Sequence, residues 1–234
     1  MKKIIHRAAE RGLQDHGWLK AAHSFSFANY HDAAKMHFGL LRVLNDDIVA
    51  PAMGFGAHGH DNMEIVTIPL QGVLAHKDSL GSEGNIKPGE VQIMSAGKGI
   101  RHSEFNGSET EEVNLLQIWV FPKVRGIEPR YDQRSFPMLS EGFKTIVSPD
   151  PSHDAMWINQ DAYFTLGNFK AGQSDTYKIK HPGNGAYVFI IEGSAGIDDV
   201  NLERRDAAGI YDTEEFEVKF NSDSRILVIE VPMQ

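Results

Sequence analysis

His58-Gly59-His60-Asp61-Asn62-Met63-Glu64-Ile65-Val66-Thr67-Ile68-Pro69-Leu70-Gln71-Gly72 couples a spaced histidine pair to an apolar run that stops at glycine. Residues 63–70 read as a β-strand closed by a turn signal. If the residues before them are also extended, side chains alternate between faces, and His58 and His60 point the same way with Cα atoms about 6–7 Å apart. Forty-two residues after His60 comes His102-Ser103-Glu104, with the same spacing of two. Two such strands side by side bring three imidazoles and one carboxylate to a common point, a plausible ligand set for one metal ion.

Other short β-like runs recur along the chain with turn signals between them: 38–44, 90–95, 115–121, 163–169, 186–191, 215–220 and 225–231. Many short strands at this spacing predict an all-β sandwich or barrel. Two stretches, 8–15 and 33–36, read as short helices. The 22 glycines and 10 prolines fit a turn-rich chain rather than a helical bundle.

The length of 234 residues admits one large β domain or two domains of about 100 residues each. A net charge of −9 argues against nucleic acid or an anionic membrane as the main partner. No run approaches the ~18 apolar residues that cross a bilayer, and the start carries no stretch of signal-peptide length, so a cytoplasmic protein is expected. With no cysteine, thiolate nucleophiles and cysteine-ligated metals are excluded, leaving His, Asp and Glu as metal donors. No glycine-rich phosphate loop and no Ser-His-Asp constellation is found, and no nucleotide cofactor is expected.

Self-comparison points to a duplication. Leu70-Gln71-Gly72 is followed seventeen residues later by Gly89, and Ile191-Glu192-Gly193 is followed sixteen residues later by Gly209. Two related β modules are expected, meeting between Gly126 and Ser148, and are set here as 1–135 and 136–234. Counting back from Gly193, His181 falls where His60 falls before Gly72, but Ile179 replaces His58, and the region around Ser222 has no histidine. One metal site, in the first module, is the economical reading.

The pattern Gly89-x5-Ser95-x-Gly97-x4-His102-x3-Asn106, preceded by His58-x-His60-x3-Glu64-x7-Gly72, resembles the paired motifs of the cupin superfamily. Ser95 stands in place of the usual proline, and His102 comes two residues late. Around this core, His16-Gly17-Trp18-Leu19, His23-Ser24-Phe25-Ser26-Phe27-Ala28-Asn29-Tyr30 and the run from Met94 to Glu104 resemble the pirin family nearly end to end. The resemblance implies a bicupin, two antiparallel β-barrel or sandwich modules with one mononuclear metal in the first and a degenerate second. Bacterial members of the family imply quercetin 2,3-dioxygenase activity on a small aromatic substrate with dioxygen. Eukaryotic pirins imply the alternative, an iron-binding regulatory protein acting through a protein partner, and fold alone does not choose.

The resemblance gives His58, His60 and His102 as metal ligands. Glu64 and Glu104 both have the parity to join them; the family pattern favours Glu104 as the fourth ligand and leaves Glu64 as a pocket carboxylate, orienting a ligand or water. Nitrogen and oxygen donors suit Fe, Cu, Mn, Ni or Zn, with iron preferred from the family. In this reading a flavonol hydroxyl binds the metal as its anion, the ring opens with dioxygen and carbon monoxide leaves. Glu104 or Glu64 is the candidate base. Arg101, on the opposite strand face from His102, is expected in a structural ion pair. Phe25, Phe27, Trp18, Tyr30 and Trp119 are candidates for an aromatic cavity wall or plain core, and His23 and His76 are expected to be structural.

Overall fold

Alternation of apolar and polar residues decides which strands face water. Glu215–Phe220 buries Phe216, Val218 and Phe220 and exposes Glu215, Glu217 and Lys219, the period-two pattern of a sheet with one wet face. Asn184–Glu192 is buried at every position but its last, because it has a core on each side. The computed structural model, which describes residues 1–136, 141–150 and 154–234, is built from such strands, and the one helical element among them is a single 3-10 turn, Ala8–Glu10. The expected helix over 8–15 is therefore that turn followed by the strand Gly12–Asp15, and 33–36 forms a turn. Neither stretch has the length or the apolar face that would stabilise a helix by packing.

The strands form two modules of like topology. In the first, a seven-stranded sheet runs in the order Arg130–Ser135, Glu90–Ser95, Glu64–Gln71, Val113–Val120, Leu41–Val49, Leu19–His23, Gly12–Asp15. It faces a four-stranded sheet of Gly54–His60, Ile100–Asn106, Leu74–Asp78 and Glu83–Ile86. The second module repeats the arrangement, with a seven-stranded sheet centred on Asn184–Glu192 and Ser224–Pro232 and a four-stranded sheet that contains Ser174–Lys178 and Glu215–Phe220. Among the described residues all strand pairings but one, Gly142–Ser148 with Met156–Trp157, are antiparallel.

One strand crosses between them. Lys2–His6 pairs with Ala207–Tyr211 at the edge of the second module's large sheet, where Arg130–Ser135 sits in the first. Its sequence position alone assigns it to the other module. Arg7 and the Ala8 N–H hold this end in place by binding Asp206 at 2.8 and 2.7 Å.

The largest core lies between the modules. Leu41, Val66, Leu116 and Ile118 from the first meet Phe164, Tyr187, Leu227 and Ile229 from the second in one buried cluster. Each such side chain contributes about 1.5–3 kcal/mol on leaving water. The second module has its own apolar interior, in which Phe169 stacks on Phe220 at 3.9 Å and Tyr177 packs beside Phe216. The first module's interior keeps room for polar side chains, and the site lies there.

Candidate metal centre

Strand register brings the two histidine pairs together. In the small sheet of the first module His102 lies directly opposite His58, and Ile100 opposite His60. The ring centroids of His58, His60 and His102 are 4.4 to 4.9 Å apart, and their ligand nitrogens all lie within 4.8 Å of one another. A bulge between His102 and Glu104 shifts the register by one, so that Glu104 faces Phe55. The turn that feeds the His102 strand depends on Gly97, in the left-handed region at φ 48°, where a Cβ would collide with the Ile127 carbonyl oxygen.

The residues fit one metal ion. His58 Nδ1–H donates to the Gly56 carbonyl at 2.8 Å, which fixes the tautomer and leaves Nε2 with its lone pair. His60 Nε2 and His102 Nε2 face each other at 3.0 Å. Imidazole nitrogens that share an ion at ~2.0–2.1 Å stand about 3 Å apart, so this spacing suits a common cation. Burial, then the neighbouring His58, pushes His60 down to about 4. Burial, then His58, His60 and His76, pushes His102 down to about 3. Both rings are therefore neutral, as ligation requires.

Glu104 is buried behind the histidines. Its Oε2 accepts from Gln117 Nε2 at 3.0 Å, Gln117 is oriented in turn by Thr67, and Oε1 has no partner among the described residues. Burial raises the carboxyl to about 7 against the opposing pull of Gln117. Glu64 is elsewhere. It sits on the large sheet, where Oε2 accepts from Ser95 Oγ at 2.8 Å and from the Asn159 N–H of the second module at 3.1 Å. Burial raises it to about 7 as well, partly offset by those two hydrogen bonds and by Arg130. The structure does not bring Glu64 to the histidines, because a residue at the start of the neighbouring strand falls on the sheet that backs onto the second module.

A cavity of about 260 Å3 opens beside the histidines, lined by His58, His60, Glu104, Gln117, Phe27, Phe55 and Trp119, and also by His23, Asn45 and Asp47. Of the five candidate wall aromatics, Phe27 and Trp119 line it, Phe25 belongs to the core between the modules, Trp18 packs on Phe55, and Tyr30 stacks on His23. Arg101 points outward as its parity requires, but it donates to the Ala57 carbonyl rather than to an acid. His76 is buried beside His102 at 5.4 Å and stacks on Tyr131. His23, read as structural, is a cavity residue. Asn45 and Asp47 were not legible as site residues, although two polar positions at a spacing of two in the strand Leu41–Val49 are the mark of a polar patch on one face. A larger groove of about 450 Å3 between the modules, lined by Ile68, Phe136, Leu166 and Arg225 among others, contains none of the site histidines.

In the second module the matching strands Ser174–Lys178 and Glu215–Phe220 set Tyr177 opposite Phe216, so aromatic packing fills the place of the histidines. His181 lies beyond the end of the strand, exposed. Two β modules of like topology with a polar, three-imidazole site in one define a bicupin. The profile described as pirin matches residues 6–120, and that of the quercetinase C-terminal cupin domain matches residues 145–231. The chain belongs to the pirin family. It is 39% identical over 228 residues to the quercetin 2,3-dioxygenase of Escherichia coli K12, covering 97% of this chain and 98% of that one. It is 40% identical over 222 residues to a pirin-like protein of Caulobacter vibrioides, covering 94% and 95%. Its fold superimposes on the nickel(II) complex of the bacterial pirin YhhW from Escherichia coli with a TM-score of 0.94 and 38% identity, covering 99% of both chains.

Proposed function

We propose that this protein is a metal-dependent dioxygenase that opens flavonols such as quercetin with dioxygen and releases carbon monoxide. The observation that carries the reading is the aromatic cavity with His58, His60 and Glu104 in its wall. Relatives named quercetin 2,3-dioxygenase at 39% identity over nearly the whole chain support it. His58, His60 and His102 hold one divalent ion, and Glu104 is the fourth ligand; iron is preferred, with Cu, Mn, Ni and Zn suited to the same donors. The ion, when bound, supplies Lewis acidity and a template for substrate and dioxygen.

The chain's own residues do the rest. Phe27, Phe55 and Trp119 hold the flat substrate and exclude water. Glu104, raised towards neutrality by burial and held by Gln117 through Oε2, takes the proton of the flavonol hydroxyl on Oε1 while that oxygen is not serving as a ligand. Glu64, 2.8 Å from Ser95 and bonded to Asn159, acts through the contact between modules rather than on the substrate. We keep 1–135 as the metal-binding module and 136–234 as the module without metal, with Lys2–His6 lent to the second. Among the described residues no helix is long and apolar enough to cross a membrane, and a cytoplasmic enzyme is part of this reading.

The test is to load metal-free protein with Fe(II), Cu(II), Mn(II) or Ni(II) and to measure oxygen uptake and carbon monoxide with quercetin, with His102→Ala alongside. Metal-dependent uptake that the variant loses is expected. One tightly bound metal per chain with no uptake would overturn the reading in favour of a regulatory protein with a protein partner.

A further inference from the structure

We infer that the part of the cavity wall formed by His23, Asp47 and the Trp119 indole N–H, outside the three-histidine cluster, is a recognition site for the hydroxyl groups of a polyhydroxylated aromatic substrate. This rests on the flavonol reading above and adds which substituents the protein selects. Three buried polar atoms without a partner among the described residues, His23 Nε2, Asp47 Oδ1 and Trp119 Nε1, belong to residues that line this one cavity, beside Glu104 Oε1, which the fourth-ligand role already uses. Buried polar groups are almost always paired, and three orphans around one cavity are answered by the ligand that fills it.

Each of these three atoms has a defined role. His23 Nδ1–H donates to Asn45 Oδ1 at 2.8 Å, so Nε2 presents a lone pair and accepts from a hydroxyl. Burial holds His23 below its ordinary value despite Asn45, which keeps the ring neutral. The Trp119 indole can only donate, so it calls for an oxygen acceptor on the ligand. Asp47 is raised to about 8 by burial, then by Asp46 and Glu104, and as a neutral acid it offers both a donor and an acceptor.

The spacing suits a flavonol. Ring contacts run from His60 to Trp119 (4.9 Å), from Trp119 to Phe27 (5.3 Å) and from Phe27 to His23 (5.4 Å). His23 is thus linked to His60 through the intervening rings of Trp119 and Phe27. A substrate anchored at the histidines through its hydroxy-keto edge extends along these rings and brings its ring hydroxyls to His23. The register explains the alignment: His23 pairs with Asn45 and Ala21 with Asp47 on neighbouring strands, so these side chains share the concave face of the large sheet.

The test compares quercetin with 3-hydroxyflavone, which keeps the chelating edge and lacks the ring hydroxyls. Dissociation constants are measured without oxygen from ligand absorbance, on metal-loaded wild type, His23→Leu, His23→Gln and Trp119→Phe, alongside kcat/KM for both and metal content. The expected result is that wild type prefers quercetin, that His23→Leu lowers the preference about fivefold to tenfold in binding and in kcat/KM, and that His23→Gln, which keeps an acceptor, restores part of it. Trp119→Phe, which keeps the ring, lowers it severalfold. A preference unchanged in both His23→Leu and Trp119→Phe at full metal content overturns the inference, as does a wild type that binds the two flavonols equally or binds neither. Preferential binding of quercetin, lost in His23→Leu, without oxygen uptake would sink the dioxygenase reading and leave the recognition site standing.

Discussion

Gln117 Nε2 donates to Glu104 Oε2 at 3.0 Å, and this bond leaves Glu104 with one oxygen held and one, Oε1, turned to no protein partner among the described residues. The geometry separates two roles for the carboxylate. Glu104→Gln keeps the shape and removes the charge and basicity. Flavonol turnover should fall about 10²-fold or more, while metal content, read by mass spectrometry of the dialysed protein, stays above half of wild type. Equal losses of metal and turnover would reduce Glu104 to a ligand. Gln117→Leu should give a smaller loss, because the carboxylate remains but is no longer oriented.

The histidines give the site an acid signature. His60 and His102 titrate near 4 and 3 in the fold and near 6.5 in an unfolded chain. Between those values the unfolded chain binds protons that the native one refuses, so their contribution is present above about 6.5 and is lost as pH falls towards 4. The buried carboxyls Asp47, Glu64 and Glu104 act in the opposite direction over part of this range. The histidine effect is therefore read as a difference: the melting temperature of metal-free wild type, relative to metal-free His102→Leu, should drop as pH goes from 7 to 4. A constant difference would mean that His102 binds its proton equally in the folded and unfolded chains, and that burial does not lower it.

Much of the site was legible because a strand's period of two turns His58-x-His60 and His102-x-Glu104 into geometric statements. Parity could not separate Glu104 from Glu64. That choice depends on which sheet each strand joins, and Glu64 lies on the sheet that reaches Asn159 of the second module. The repeat was half visible. Gly72 and Gly193 occupy matching left-handed turns at φ 76° and 82°, where a Cβ would meet the carbonyl that leads into the neighbouring strand, that of Glu112 or Asp223. Gly89 and Gly209 do not correspond, since Gly209 lies inside a strand under Phe38 while Arg205, a non-glycine at φ 68°, occupies the turn before it. The placement of Lys2–His6 in the second module is a long-range pairing with no local signal.

Glu64 links the modules through a titratable group. Its folded value near 7 lies above the ordinary 4.5, so its contribution is fully present below the unfolded value and is lost as pH rises through about 7. The loss is on the order of 3 kcal/mol for a shift of this size in a buried group. Glu64→Gln cannot titrate, so in metal-free protein the gap in melting temperature between wild type and variant should move in the variant's favour from pH 5 to pH 8. A gap independent of pH would place the carboxylate's charge in full contact with solvent or fully compensated by Arg130.

Glu230 is a fully buried carboxylate of the second module, spent on structure. It accepts hydrogen bonds from Tyr177 Oη at 3.1 Å, the Lys180 and His181 N–H groups at 2.9 and 2.8 Å, and Asn184 Nδ2 at 3.1 Å. Glu230→Leu leaves these donors unanswered, at a cost of about 3–5 kcal/mol. For a chain of this size that lowers the melting temperature by roughly 10 °C, with Glu230→Gln intermediate. Because Phe164, Tyr187, Leu227 and Ile229 share one core with Leu41, Val66 and Ile118, the damage should not stay in the second module. Loss of bound metal from the first module should follow the same thermal transition as loss of β structure in the variant. Metal retained well above that transition would show that the first module folds without its partner, and that the shared core is not what holds the site together.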